Sequence, residues 1–85
     1  MLQGMEYVYE VYKAGSFSKA ARNLFISQPA LSTAIQKAEK NLGFKIFNRT
    51  TNPVTLTEVG MEYIDSIEKI MGIEQSLHDR INEIN

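Results

Sequence analysis

The spacing of apolar residues predicts two short amphipathic helices at the start of the chain. Their apolar faces are formed by Met5, Val8, Tyr9 and Tyr12 in the first and by Ala20, Ala21 and Leu24 in the second. Gly15 is predicted to close the first helix, because glycine adopts a left-handed conformation at little cost. Ser18 is the predicted N-cap of the second helix, since its hydroxyl can accept a hydrogen bond from an unpaired N–H of the first turn.

The stretch FISQPALSTAIQ, residues 25–36, combines the signals of a helix start with a polar stripe. Ser27 is the predicted N-cap, and Pro29 is tolerated because the N–H groups of a first turn have no partner within the helix. The apolar face of this third helix consists of Leu31, Ile35, Ala38 and Leu42. Gly43 is expected to end it. An uncharged stripe of hydrogen-bonding side chains runs along another side: Gln28, Ser32 and Gln36.

A hairpin and a long helix are predicted for the rest of the chain. The segments 44–47 and 54–56 are short and β-prone, and the loop between them contains Asn52 and Pro53. Thr57 is the predicted N-cap of the last helix, with Glu58 favourably placed at the positive end of the helix dipole. We therefore divide the chain into residues 1–57 and a long helix, residues 58–85.

The last helix carries a second pattern, which indicates contact with another helix. Apolar residues alternate at spacings of four and three, with Glu74 in the one missing slot: Tyr63, Ile67, Ile70, Leu77, Ile81 and Ile84. A helix that projects from so small a domain cannot bury this seam on its own body. We expect a homodimer or higher oligomer through this helix; the alternative is that it folds back on the first helix.

Charge is distributed unevenly. The 85 residues have a net charge of −1, 44% hydrophobic residues and no cysteine, as expected of one domain without disulfides. Residues 13–57 contain seven Lys or Arg against the single acid Glu39, whereas residues 1–12 and 58–85 are acidic. A basic middle is typical of a protein that binds a polyanion. Two ordinary solvated faces would give the same distribution, so charge alone does not decide.

Several function classes are disfavoured. His78 is the single histidine, no group of His, Cys, Asp or Glu has metal-ligand spacing, and the glycines form no phosphate-binding loop. We therefore expect no enzyme, no catalytic residue, no metal and no cofactor. The apolar runs are too short for a membrane span and the N-terminus lacks the basic region of a secretory signal, so a cytoplasmic protein without membrane contact is expected.

The second and third helices, joined by a tight turn, have the arrangement of a helix-turn-helix. In a major groove, Gln28 can bind the adenine edge in a bidentate way, and Ser32 and Thr33 can contact either base type. Pro29 and the methyl group of Thr33 offer apolar contact to thymine. The predicted backbone contacts of the helices are Ser16, Ser18, Ser27, Gln36 and Lys37.

The stretch GSFSKAARNLFISQPALSTAIQKAEKNLGFKIFNRT, followed by VTLTEVG, closely resembles the N-terminal winged helix-turn-helix of LysR-type transcriptional regulators. The resemblance implies a mainly α fold of three helices, a hairpin wing and a long linker helix that pairs with its mate. The third helix would lie in the major groove of double-stranded DNA at a pseudo-palindromic operator. The wing would lie over the minor groove with Thr51 and Asn52 at its tip. Further phosphate contacts implied near it are Arg49, Thr50, Thr55 and Thr57.

This chain departs from the family pattern at three positions. Thr33 stands where the family usually has arginine, and Asn52 where some members insert an arginine into the minor groove. The loss of these two cations is expected to weaken DNA binding and its salt dependence. Ala38 replaces a usual leucine, which predicts a smaller core contact. The effector-binding domain of full members is absent from this chain, which is expected to be an excised domain or a natural short protein.

A different class of function uses the same fold. Winged helices also serve as protein-interaction or assembly modules, so the fold alone does not establish DNA binding. The distinguishing feature is the basic segment 13–57, which such a module does not need.

Overall fold

A computed structural model describes residues 3–85 and contains four helices and one two-stranded hairpin. The elements are α1 Met5–Ala14, α2 Phe17–Leu24, α3 Gln28–Leu42, β1 Phe47–Asn48, β2 Thr55–Leu56 and α4 Glu58–Ile84. This order confirms the predicted winged helix-turn-helix. Within residues 3–85, no helix is long and apolar enough to cross a membrane.

The helix ends follow the predicted signals with one exception. Gly15 and Gly43 close α1 and α3 in the left-handed conformation, and the hydroxyl of Ser27 accepts a hydrogen bond from the Ala30 N–H at 3.1 Å. The prediction that Ser18 caps α2 is wrong. Ser16 is the N-cap, because its extended backbone places its Oγ 3.1 Å from the Lys19 N–H, while Ser18 lies inside the first turn.

The core lies where α1, α2 and α3 meet, and the first half of α4 closes it. Its buried apolar residues are Val8, Val11, Ala20, Ala21, Leu31, Ile35, Ala38, Ile46, Phe47, Tyr63, Ile64 and Ile67. The core thus continues beyond residue 57, where the sequence suggested a boundary. α4 is part of the domain until Met71, which still packs against the core, and every residue from 72 onward is exposed.

The predicted seam of α4 is therefore divided between two surroundings. Tyr63 and Ile67 are only 6% and 0% exposed, because they pack into the core of their own chain. Assigning these two residues to a partner helix was wrong, and Ile70 is half-buried at the edge of the core. The exposed apolar stripe consists of Ile73, Leu77, Ile81 and Ile84, of which Ile73 was not part of the predicted seam.

The hairpin is shorter than predicted. Only Phe47 with Leu56 and Asn48 with Thr55 pair across the two antiparallel strands. Phe44 was assigned to the first strand but lies outside it and is 63% exposed, because the chain between Gly43 and Ile46 leaves α3 without pairing. The far end of the hairpin is tied to the α1–α2 turn, where the Val54 N–H donates to the Gly15 carbonyl at 3.0 Å.

The start of α4 is locked onto the peptide that precedes β1. The Ile46 carbonyl accepts a hydrogen bond from the Thr57 N–H at 2.9 Å, and the Thr57 hydroxyl accepts one from the Gly60 N–H at 2.9 Å. Gly60 is buried directly against this carbonyl, so that a Cβ at Gly60 would overlap the oxygen of Ile46. The threonine–glycine spacing of three residues thus lets a helix start lie flush on a backbone.

We expect Gly60→Ala to lower the free energy of unfolding by about 2 kcal/mol or more, because the added methyl overlaps backbone that no rotamer change can move. The matched control is Gly72→Ala in the same helix, where a Cβ meets nothing within 4 Å. This control should stabilise the chain by up to about 1 kcal/mol through helix propensity. Urea unfolding followed by circular dichroism measures both, and equal stability of the two variants would contradict the packing described.

Candidate nucleic-acid interface

The first half of α3 presents its predicted base-contacting residues on the surface. Gln28, Pro29 and Thr33 are exposed, and Ser32 is half-buried. Ser32 lies seven residues before Glu39 and therefore on the side of α3 that faces the hairpin. The opposite border of this surface is formed by Lys37, which is also exposed. A continuous strip without acidic side chains thus begins at the N-terminus of α3.

The hydroxyl groups of this surface differ in what they can still donate. A phosphate oxygen only accepts hydrogen bonds, so a hydroxyl binds it only with a free proton. The Ser16 and Ser27 hydroxyls accept from the backbone and keep their protons. The Thr33 hydroxyl donates instead to the Pro29 carbonyl at 3.0 Å, which leaves its methyl group and oxygen lone pairs for a ligand.

Thr57 is unsuited to the phosphate contact that the resemblance implied. Its hydroxyl lies 2.6 Å from the Lys45 carbonyl and 3.2 Å from that of Ile46, so its one proton is donated inside the protein. The same oxygen accepts the Gly60 N–H. The predicted phosphate contact of Thr57 is therefore wrong. Its hydroxyl joins the start of α4 to the segment before β1 instead.

The tip of the hairpin is exposed and organised by threonine. The hydroxyls of Thr51 and Thr55 lie 3.1 Å apart, and that of Thr51 is 3.3 Å from the Asn48 carbonyl. Thr50 and Asn52 are exposed and lie in the same turn. The tip therefore presents amide and hydroxyl groups, and no cation, to its surroundings.

The basic segment 13–57 has several exposed cations without an acidic partner among the described residues. Within residues 3–85, no acidic oxygen lies within 4.0 Å of the charged groups of Lys19, Arg22, Lys37 or Lys40. All four are exposed. The single acid of the basic segment, Glu39, is only 4% exposed. The exposed surface of this segment is therefore more positive than its net charge indicates.

The Arg49 side chain is 34% exposed and has two neighbours. Its Nη2 lies 3.4 Å from Glu39 Oε1, and its Cζ lies 4.6 Å from the centre of the Phe17 ring. Phe17 in turn meets Phe47 edge to face at 6.0 Å. The guanidinium is thus held between a carboxylate and an aromatic face. The bond to Glu39 engages one nitrogen of the group, so that further N–H groups can reach a ligand.

Glu39 is a buried charged residue beside this surface that was not predicted from the sequence. Its Oε2 accepts hydrogen bonds from the N–H groups of Ile46 and Phe47 at 2.8 and 3.4 Å. A signal for it was present, because Glu39 lies four residues after Ile35 and thus on the buried side of α3. An acid at such a position must find buried partners.

Comparison with known proteins identifies the domain. The model of a family described as bacterial regulatory helix-turn-helix proteins of the lysR family matches residues 2–61. An uncharacterized HTH-type transcriptional regulator of Bacillus subtilis, YcgK, is 40% identical over 79 residues, covering 93% of this chain and 24% of that protein. The chain spans about a quarter to a third of the length of the curated relatives it matches. These relatives are regulators, in agreement with the prediction that the chain is not an enzyme.

Solved structures of DNA-binding domains share the fold. The BenM domain, solved in complex with catB site 1 DNA, matches 92% of this chain and 85% of its own, with a TM-score of 0.78 and 34% identity. The CbnR domain, also solved with DNA, matches 94% and 92% of the two chains, with a TM-score of 0.81 and 26% identity. The chain belongs to the LysR family of bacterial helix-turn-helix regulators.

Proposed function

We propose that the chain is the sequence-specific, double-stranded DNA-binding domain of a LysR-type transcriptional regulator. The observation that carries this proposal is the exposed, acid-free start of α3 in a segment whose exposed cations have, within residues 3–85, few acidic partners. In this proposal α3 lies in the major groove, where its N-terminal residues reach base edges. The DNA complexes of the similar BenM and CbnR domains support it.

The side chains at the start of α3 can make either polar or apolar contacts to bases. The amide of Gln28 can donate to and accept from adenine at once, which distinguishes it from the other bases. Pro29 and the outward methyl of Thr33 fit the methyl group of thymine. Ser32, being half-buried, contacts only a base that approaches closely on the hairpin side.

Backbone contacts would surround this base-reading centre. Ser16, Ser18 and Ser27 lie at the starts of α2 and α3, where free hydroxyls and N–H groups favour phosphate. Gln36, Lys37, Arg49 and Thr50 would contribute further contacts. The Thr55 hydroxyl would do so only after releasing its hydrogen bond to Thr51. The wing tip, Thr51 and Asn52, would lie along the minor groove, where the amide of Asn52 can donate to the acceptors on the base edges. The hydroxyl of Thr51 donates to the Asn48 carbonyl and would contribute through its oxygen and methyl group.

The outer part of α4 is proposed to pair with the same helix of a second copy. Thirteen residues, 72–84, project from the core with Ile73, Leu77, Ile81 and Ile84 exposed. A helix of this length is marginal alone in water, and burial of the apolar stripe on its mate would stabilise it. A two-fold pair requires a pseudo-palindromic operator. In the whole protein, an effector-binding domain would follow, as the greater length of the relatives suggests.

Gln28→Ala is expected to weaken binding to a duplex selected from a random DNA pool by about 1–3 kcal/mol and to relax base preference at one position. Lys37→Ala should weaken binding to all duplexes alike and lower the salt slope by about one. The control is Gln75→Ala, the same change on the exposed outer part of α4. Fluorescence anisotropy at several salt concentrations measures all three.

Equal effects of Gln28→Ala on selected and unrelated duplexes would contradict the placement of α3 in the groove. If the unaltered chain binds duplexes without a steep salt dependence, the protein-interaction alternative is favoured instead.

Leu77→Lys combined with Ile81→Lys should convert a dimer to a monomer, because two charges would then face each other across the stripe. Both residues are about half exposed and lie outside the core, so the fold is retained. The control is Gln75→Lys with Asn82→Lys on the opposite side of α4. Multi-angle light scattering measures the mass, and a dimer that survives the first pair of substitutions contradicts the proposal.

A further inference from the structure

The carboxylate of Glu39 is the single acidic group of the basic segment, and the proposed DNA contacts give it no role. Its side chain is 4% exposed, and removing a carboxylate from water costs several kcal/mol unless partners compensate. In this position it also sets a negative charge beneath a surface proposed to bind phosphate. A buried acid at this position therefore disfavours both folding and phosphate binding unless its contacts compensate.

Each oxygen of Glu39 has its own partners. Oε2 accepts from the Ile46 and Phe47 N–H groups, which fixes the backbone at the start of β1. Oε1 lies 3.4 Å from Arg49 Nη2 and 4.0 Å from Lys45 Nζ. The carboxylate of Glu39 thus binds both the backbone at the start of β1 and the side chain of Arg49.

Two contacts restrict the guanidinium of Arg49. Its Cζ lies over the Phe17 ring and its Nη2 lies 3.4 Å from Glu39 Oε1, so the remaining N–H groups have less freedom to turn. An arginine held in this way presents donors at a fixed position and loses little side-chain entropy on binding an anion. Without the carboxylate, the stacked ring alone would leave the guanidinium free to turn.

We propose that Glu39 is a positioning residue for DNA binding: it touches no DNA and holds Arg49 and the wing in register with α3, so that the free N–H groups of Arg49 meet a backbone phosphate. This inference rests on the proposed function. It makes a prediction opposite in sign to that of simple electrostatics, by which removal of a negative charge strengthens binding to a polyanion.

The test is a double-mutant cycle with Glu39→Gln and Arg49→Gln on the whole chain. The probe is a duplex selected from a random pool by the unaltered chain, and affinity is measured by fluorescence anisotropy. We expect each substitution to weaken binding about five- to tenfold, because a charge-assisted hydrogen bond is lost or misplaced. The double variant should bind like Arg49→Gln alone. The amide oxygen left by Glu39→Gln can still accept from the Ile46 and Phe47 N–H groups, so this substitution acts through the lost contact to Arg49.

The matched control is Glu62→Gln, the same loss of charge on the exposed side of α4. It should bind as tightly as the unaltered chain or slightly more tightly. Three results would overturn the inference: Glu39→Gln binding as tightly as the unaltered chain, Arg49→Gln having no effect, or the two losses adding in full.

A second variant tests the inference even if Glu39→Gln fails to fold. Arg49→Lys keeps the positive charge and the buried acid but loses the flat group that stacks on Phe17. We expect it to bind several-fold more weakly at unchanged melting temperature, and equal binding would contradict the inference. Failure of the unaltered chain to bind any duplex counts against the proposed function itself, whereas normal binding with an unaffected Glu39→Gln overturns only the positioning role.

Discussion

The position of the wing depends on how one peptide segment, at Ile46, is held from two sides. Its N–H donates to the buried carboxylate of Glu39 on α3, and its carbonyl accepts from Thr57 at the start of α4. Its side chain is completely buried. Because the hairpin has only two residue pairs, its own hydrogen bonds are too few to orient it. The orientation comes from this joint and from the second attachment of Val54 to the α1–α2 turn.

The joint also determines which polar groups are available for recognition. Thr57 and Glu39 satisfy buried backbone groups, and an unsatisfied group there would cost about 1–3 kcal/mol. Their hydrogen-bonding capacity is therefore used within the protein. The serines that cap α2 and α3 accept from backbone N–H groups and keep a proton to donate. Serine and threonine hydroxyls thus differ in function here. Those of Ser16 and Ser27 only accept within the protein, whereas that of Thr57 also donates its proton there.

The sequence was sufficient for the order of the elements and for most helix ends, because caps, glycines and apolar spacing are local signals. It was sufficient for the surface of α3 as well, since Gln28 and Thr33 lie away from a well-defined apolar face. It was insufficient where a side chain has tertiary partners. The burial of Glu39, the internal bonds of Thr57 and the burial of Tyr63 and Ile67 depend on contacts between elements distant in sequence. The apolar spacing of four and three along α4 does not reveal at which residue the helix leaves the core.

α4 continues without interruption from the hairpin joint to Ile84, and its surroundings change from core to solvent near Gly72. In a pair of chains joined by the outer stripe, the helix acts as a rigid spacer between each domain and the two-fold axis. One residue inserted near Gly72 would move the domain by about 1.5 Å along the helix and rotate it by about 100° around it. The proposed pairing would therefore constrain the length of this segment through the direction in which α3 must face, even though its side chains touch nothing in the domain.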